Sequence, residues 1–104
     1  GDRAFGSDPE RVARLGLALA HGVQASGVAA CAKHFPGHGD TESDSHFELP
    51  VVRHAEERLR RIEIPPFAAA ARAGIATFMS AHVVYTALDA ETPATLSPKI
   101  ATAL

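Results

Sequence analysis

The chain has 104 residues, a formal net charge of -2 and an ordinary apolar share. That length fits one domain or part of one, and the interspersed charges exclude the basic, counterion-releasing surface that DNA or RNA binding requires. No apolar run approaches the roughly 20 residues of a membrane span, and the N-terminus lacks the charged-then-apolar pattern of a signal peptide.

From the N-terminus, "SDPERVARLGLALAHGVQASG" predicts a helix: Ser7 or Asp8 as N-cap, Pro9 near its first position, Glu10 in the first turn. Val12, Leu15, Leu19 and Val23 recur at helical spacing, and Ser26 and Gly27 end it. "VAACAKHF" follows as a buried strand flanked by a turn. The lone Cys31 in that run predicts a buried structural thiol; it cannot form an internal disulfide, so cysteine usage leaves the compartment open between cytoplasmic and secreted.

The stretch from Lys33 to Pro50 is polar and rich in turn residues, long for a strand-to-helix connection, and such loops carry function more often than not. "AEERLRRIEIPPFAAAARAG" predicts a helix broken by Pro65 and Pro66 and closed at Gly74. "IATFMSA" is a second buried strand, a polar loop with Tyr85 and Asp89 comes next, and Ser97 and Pro98 cap a further helix.

Helix, strand, long loop, helix, strand, loop, helix is the order of a parallel α/β arrangement with crossover connections. Two strands do not close a sheet, and a (β/α)₈ barrel takes roughly 250 residues, so the expectation is the central portion of one barrel, truncated at both ends. The absent initiator Met and the ending "SPKIATAL" agree with a fragment. In a barrel the loops that follow strands hold the chemistry, and both polar loops here follow predicted strands.

"KHFPGHGDTESDSH", residues 33–46, crowds His34, His38 and His46 with Asp40, Glu42 and Asp44. A metal site could draw on His34, His38, His46, Asp40 and Asp44, but Pro36 and Gly37 between His34 and His38 prevent successive helical turns of the H-E-x-x-H kind. A phosphate cradle on Gly37 and Gly39 lacks a following helix N-terminus. Ser45 cannot lead a Ser-His-Asp relay from within "DSH", where the three residues are consecutive.

A catalytic loop asks less. Asp44 and His46 stand two apart, so in an extended stretch both side chains leave the same side of the backbone, and the carboxylate can accept an imidazole N–H. That contact fixes the tautomer and stabilises the imidazolium, which makes His46 a tuned acid/base. Lys33 and His34, where the first strand ends, suit the binding of sugar hydroxyls or other polar groups.

"KHFPGHGDTESDSH" followed by "LP", with "RAFGSDP" before it and "PPF", "MSAH" and "PATLS" after it, resembles the family 3 glycoside hydrolases, in their β-N-acetylhexosaminidase branch, across essentially the whole chain. The resemblance implies a (β/α)₈-like barrel and a retaining, two-step release of non-reducing terminal β-linked N-acetylglucosamine from cell-wall-derived or chitin-derived sugars. It implies His46 as acid/base with Asp44 as its partner, Lys33 and His34 as binders of sugar hydroxyls, and Arg3 as a further substrate-binding residue. It implies no cofactor and no metal, and as partners a carbohydrate substrate and the remainder of the barrel, with no nucleic acid and no membrane.

The family's nucleophile is an aspartate on a later strand, and none of Asp40, Asp44 or Asp89 matches it. The expectation is that it lies beyond Leu104 and that the isolated chain is inactive. A phosphorylase of the same branch and a β-glucosidase are the nearest alternatives. An inactive fragment or a metal- or sugar-binding module is the alternative of another class. His38 reads as shaping the loop between its glycines, His82 as a pocket-lining or structural residue, and His21 and His54 as polar helical positions without a role.

Overall fold

The computed structural model describes residues 4–41 and 49–104. Helix α1 spans Pro9–Ala25. Asp8 is its N-cap, with its carboxylate accepting the Glu10 amide at 3.1 Å, and Pro9 enters the first turn, where no N–H is needed. The buried face departs from the expected stripe. Leu17, Ala20 and Val23 pack against the core, whereas Leu15 and Leu19 are exposed. At about 3.6 residues per turn, Leu15 lies nearly opposite Leu17, so only one of the two can face the sheet.

After α1 come strand β1 (Cys31–Phe35), strand β2 (Val51–Val52), helix α2 (Glu56–Arg61), helix α3 (Pro65–Arg72), strand β3 (Thr77–Ser80) and strand β4 (Val84–Tyr85). A 3-10 turn over Ala94–Leu96 leads to the short helix α4 (Pro98–Ala101). The broken helix expected over residues 55–74 is the pair α2 and α3. The break falls before the prolines, and Pro65 opens α3, the position where its missing N–H costs nothing.

β1 pairs in parallel with β3, Cys31 opposite Thr77 and Lys33 opposite Met79, and the register shifts between Lys33 and Phe35. β2 pairs in parallel with β4, Val51 opposite Val84 and Val52 opposite Tyr85. These last two strands are not visible in the sequence, because two residues are too few to show an alternation. In each pair α2 and α3 lie in the connection, so the expected parallel α/β order holds.

Two apolar clusters hold the elements together. Val52, Leu59, Ala81, Val83, Tyr85, Ala94 and Ile100 are buried in one, with Phe35 and Ile64 against it. Ala30, Ala70 and Ile75 form the other, between α1, α3 and the β1/β3 pair. Gln24 ties α1 to the lead of β3: its Oε1 accepts the Ala76 amide at 2.8 Å and its Nε2 donates to the Gly74 carbonyl at 3.3 Å.

Neither long strand is buried on both faces. Ala30 and Ala32 turn toward the helices, and the alternation of strand side chains sends Cys31 and Lys33 to the other face. That face also holds Thr77 and Met79, and all four residues are exposed. Cys31 is therefore not the core thiol its apolar neighbours predict; an odd number of steps along the strand separates it from the helix-facing alanines. Among the described residues no helix is long and apolar enough to cross a membrane.

Candidate active site

β1 delivers Lys33 and His34 at its C-terminal end, Lys33 exposed and His34 half-buried. The Lys33–His34 and Phe35–Pro36 peptide bonds are cis. The His34 and His38 rings stand 5.7 Å apart between centroids, and His38 Nδ1 hydrogen-bonds Thr41 Oγ1 at 3.3 Å. His38 thus has both neighbours within the turn.

Gly37 explains the sequence of the turn. Its φ is 142°, and a Cβ built on it would stand 2.6 Å from the Glu63 Cβ, closer than carbon atoms approach. Its carbonyl accepts the Tyr85 hydroxyl at 2.7 Å. Burial first, and then the negative charge of Glu63, push the Tyr85 phenol well above its ordinary range, so it remains a donor throughout the neutral range.

Asp40 sits where the turn leaves toward the following segment. Its Oδ2 accepts His54 Nε2 at 2.6 Å and Arg58 Nη2 at 2.8 Å. Arg58 also donates from Nη2 to Glu63 Oε1 at 3.2 Å and from Nη1 to His54 Nδ1 at 3.3 Å. The hydrogen bond from His54 above all, against the opposing effect of burial and with further help from Arg58, holds the Asp40 carboxyl below its usual range. Glu63 has a side chain only 9% exposed, and its Oε2 is buried without a partner.

Asp89 is a structural carboxylate. It accepts Ser97 Oγ at 2.7 Å and the amides of Glu91 and Thr92 at 3.2 and 3.3 Å, and the Ser97 bond above all holds its carboxyl below the ordinary range. Ser97 in turn caps α4 by accepting the Ile100 amide at 3.4 Å.

Of the expected site residues, Lys33 and His34 lie at one strand end, and Arg3, Asp44 and His46 lie outside the described residues. Of the ligand set weighed from the sequence, Asp44 and His46 lie outside the described residues. Among the described residues, one ligand atom each from Asp40, His54 and Glu63 lies within 4.8 Å of the others, and the Arg58 guanidinium already bonds all three. His82 is exposed beyond the end of β3.

Sequence reasoning missed His54, Arg58, Glu63 and Tyr85. His54 precedes α2 rather than lying in a helix, and faces a carboxylate fourteen positions back. No local pattern marks such a contact. The glycine in "PGHG" is the one signal that a close neighbour had to exist.

The model of the glycosyl hydrolase family 3 N terminal domain matches residues 1–104. A curated beta-hexosaminidase of Thiobacillus denitrificans is 46% identical over 91 residues, which cover 88% of this chain and 25% of that protein. A solved family 3 beta-N-acetylglucosaminidase from Paenibacillus superposes with a TM-score of 0.94 at 50% identity, over 96% of this chain and 19% of that one. NagZ from Neisseria gonorrhoeae in complex with N-trifluoroacetyl-D-glucosamine gives a TM-score of 0.93 at 42% identity, over 100% of this chain and 30% of that one. The chain therefore spans about a quarter of the length of the curated relative, and its fold is a part of a TIM-like (β/α)₈ barrel. With a family model matched from the first residue to the last, the chain belongs to the glycosyl hydrolase family 3 N terminal domain family.

Proposed function

We propose that this chain is the central portion of the catalytic barrel of a retaining β-N-acetylhexosaminidase, which removes non-reducing terminal N-acetylglucosamine from cell-wall-derived or chitin-derived sugars. The observation that carries this reading is the delivery of Lys33 and His34 by the C-terminal end of β1, at the head of the "KHFPGHGDTESDSH" loop, in a member of this family. Strand C-terminal ends are where a barrel holds its chemistry.

In the proposed reaction Lys33, His34 and Arg3 hold the sugar hydroxyls. His46 protonates the leaving glycosidic oxygen and then takes a proton from the incoming water, while Asp44 orients its imidazole and offsets the imidazolium charge. The nucleophile comes from a part of the barrel outside this chain. Supporting this, Asp8 caps α1, Asp40 is engaged by His54 and Arg58, and Asp89 is engaged by Ser97 and two amides. A carboxylate tied up in this way is a poor nucleophile.

The test is product analysis with the intact enzyme. Incubation with an N-acetylglucosaminide in phosphate buffer is expected to release free N-acetylglucosamine; sugar 1-phosphate would make the enzyme a phosphorylase, and glucose from a β-glucoside in its place would make it a glucosidase. His46→Ala is expected to spare an activated aryl glycoside far more than a natural disaccharide, because only the poor leaving group needs the proton. Equal losses on the two would remove His46 from the acid/base role.

A further inference from the structure

We propose that His82 is a further substrate-binding residue of this site, a contact to one hydroxyl of the terminal sugar made from the strand beside the one that carries Lys33 and His34; the inference rests on the function proposed above. β1 and β3 are parallel neighbours, with Lys33 opposite Met79 and Phe35 opposite Ser80. Their C-terminal ends therefore lie side by side, and just beyond β3 the Ala81 amide donates to the Phe35 carbonyl at 2.7 Å. His34 precedes one member of that bond and His82 follows the other. Two histidines flank a single interstrand hydrogen bond, at the end of the sheet where a barrel holds its chemistry.

The backbone around His82 is held on both sides. Ala81 and Val83 are each 0% exposed, in the cluster with Leu59 and Tyr85. The Ala81 carbonyl accepts the Thr95 amide at 3.2 Å and the Thr95 hydroxyl at 3.0 Å, and the Val83 carbonyl accepts the Ala94 amide at 2.9 Å. His82 between them is exposed, so its side chain leaves the backbone on the side away from that cluster. Through Ala94 and Thr95, the "PATLS" segment fixes where the imidazole starts from. A rigidly seated backbone under an exposed side chain is what a binding residue requires.

The fold makes no use of that imidazole. Among the described residues His82 has no side-chain hydrogen bond and no ion pair, whereas His54 bonds Asp40 and Arg58, and His38 bonds Thr41. A neutral imidazole offers one N–H donor and one acceptor nitrogen, and a sugar hydroxyl can meet either of them. Lys33 offers donors alone, so His82 brings to this strand end an acceptor that the lysine cannot supply.

The experiment measures kcat/KM of the intact enzyme for wild type, His82→Ala, His82→Asn, His82→Gln, Lys33→Met and the control His21→Ala, which changes an exposed position of α1. Each is assayed on an aryl N-acetylglucosaminide and on its monodeoxy analogues, which lack one sugar hydroxyl at a time. His82→Ala is expected to keep the thermal midpoint and to lower kcat/KM on the complete sugar about threefold to tenfold, the worth of one neutral hydrogen bond. On the analogue without the partner hydroxyl, wild type and His82→Ala should be equal, because the bond is then missing from both. Asn and Gln keep a donor and an acceptor near the places of the two ring nitrogens, so one of those variants should recover part of the loss. His21→Ala should match wild type.

A His82→Ala enzyme as active as wild type on the complete sugar would overturn the proposal. So would a loss of equal size on every analogue, which marks a structural role. If His82→Ala does not fold, the Asn and Gln variants go through the same comparison, and the weaker of them must lose its deficit on one analogue alone. A loss in Lys33→Met with none in His82→Ala would sink this inference and leave the proposed function standing. A wild-type enzyme inactive on N-acetylglucosaminides would overturn the proposed function, and this inference with it.

Discussion

Tyr85 donates its hydroxyl to the carbonyl of Gly37 at 2.7 Å, across forty-eight positions of sequence, and so fastens β4 to the turn that leaves β1. Tyr85→Phe keeps the ring and removes the bond, which leaves a carbonyl without its buried partner. The expected cost is about 1–3 kcal/mol, read from the denaturant midpoint with the slope unchanged. The phenol is raised in the folded state, so the stability it adds is fully present below the ordinary tyrosine pKa of about 10 and is lost as pH rises above it. Stability of wild type should fall in that alkaline range more steeply than that of the Phe variant; parallel curves would refute the assignment.

Gly37→Ala places a methyl group where the Glu63 Cβ already stands, at a φ of 142° that suits only glycine. Overpacking alone is expected to cost about 1–3 kcal/mol, and the backbone adds to it. The thermal midpoint should drop and activity should drop with it, because the turn cannot move off Glu63 without disturbing His34 and Asp40. Gly39→Ala is the contrast: nothing lies within 4 Å of a Cβ there, so its effect should be small. Equal midpoints for the two variants would contradict this account.

The Asp40 carboxyl is held low by His54 and Arg58. A depressed carboxyl contributes stability above its unfolded pKa of about 3.9 and loses it as pH falls through the lower folded value. The side chain is 58% exposed, so solvent and salt screen the pair and the contribution stays within about 1 kcal/mol, as for a surface ion pair. Urea unfolding at stepped pH should show Asp40→Asn less stable than wild type at neutral pH, with the gap closing below pH ~4. A gap that stays constant into strong acid would mean the carboxylate charge is not what holds the contact.

Lys33 separates binding from folding. It is exposed on the strand face away from the helices, so Lys33→Met should change stability by no more than about 0.5 kcal/mol. A charged hydrogen bond to substrate is worth about 1.5–3 kcal/mol, which corresponds to a fall of roughly tenfold to a hundredfold in kcat/KM for the N-acetylglucosaminide. Unchanged kcat/KM in a fully folded variant would remove Lys33 from the site.

The sequence by itself determined the order of the longer elements, a start of α1 at Ser7 or Asp8 with Pro9 near its first position, a helix break at the Pro65–Pro66 pair, and the family, because each depends on local caps, prolines or a contiguous motif. Lys33 and His34 at a strand end were legible for the same reason. The buried side of α1, the exposure of Cys31 and the short pair β2 and β4 were decided only by the tertiary structure, since they depend on which faces other elements cover. So was the meeting of Asp40, His54, Arg58 and Glu63. His54, Arg58 and Glu63, fourteen to twenty-three positions beyond Asp40, meet it there because a glycine turn, a tyrosine from another strand and a helix turn converge, and no periodicity along the chain encodes a convergence of that kind.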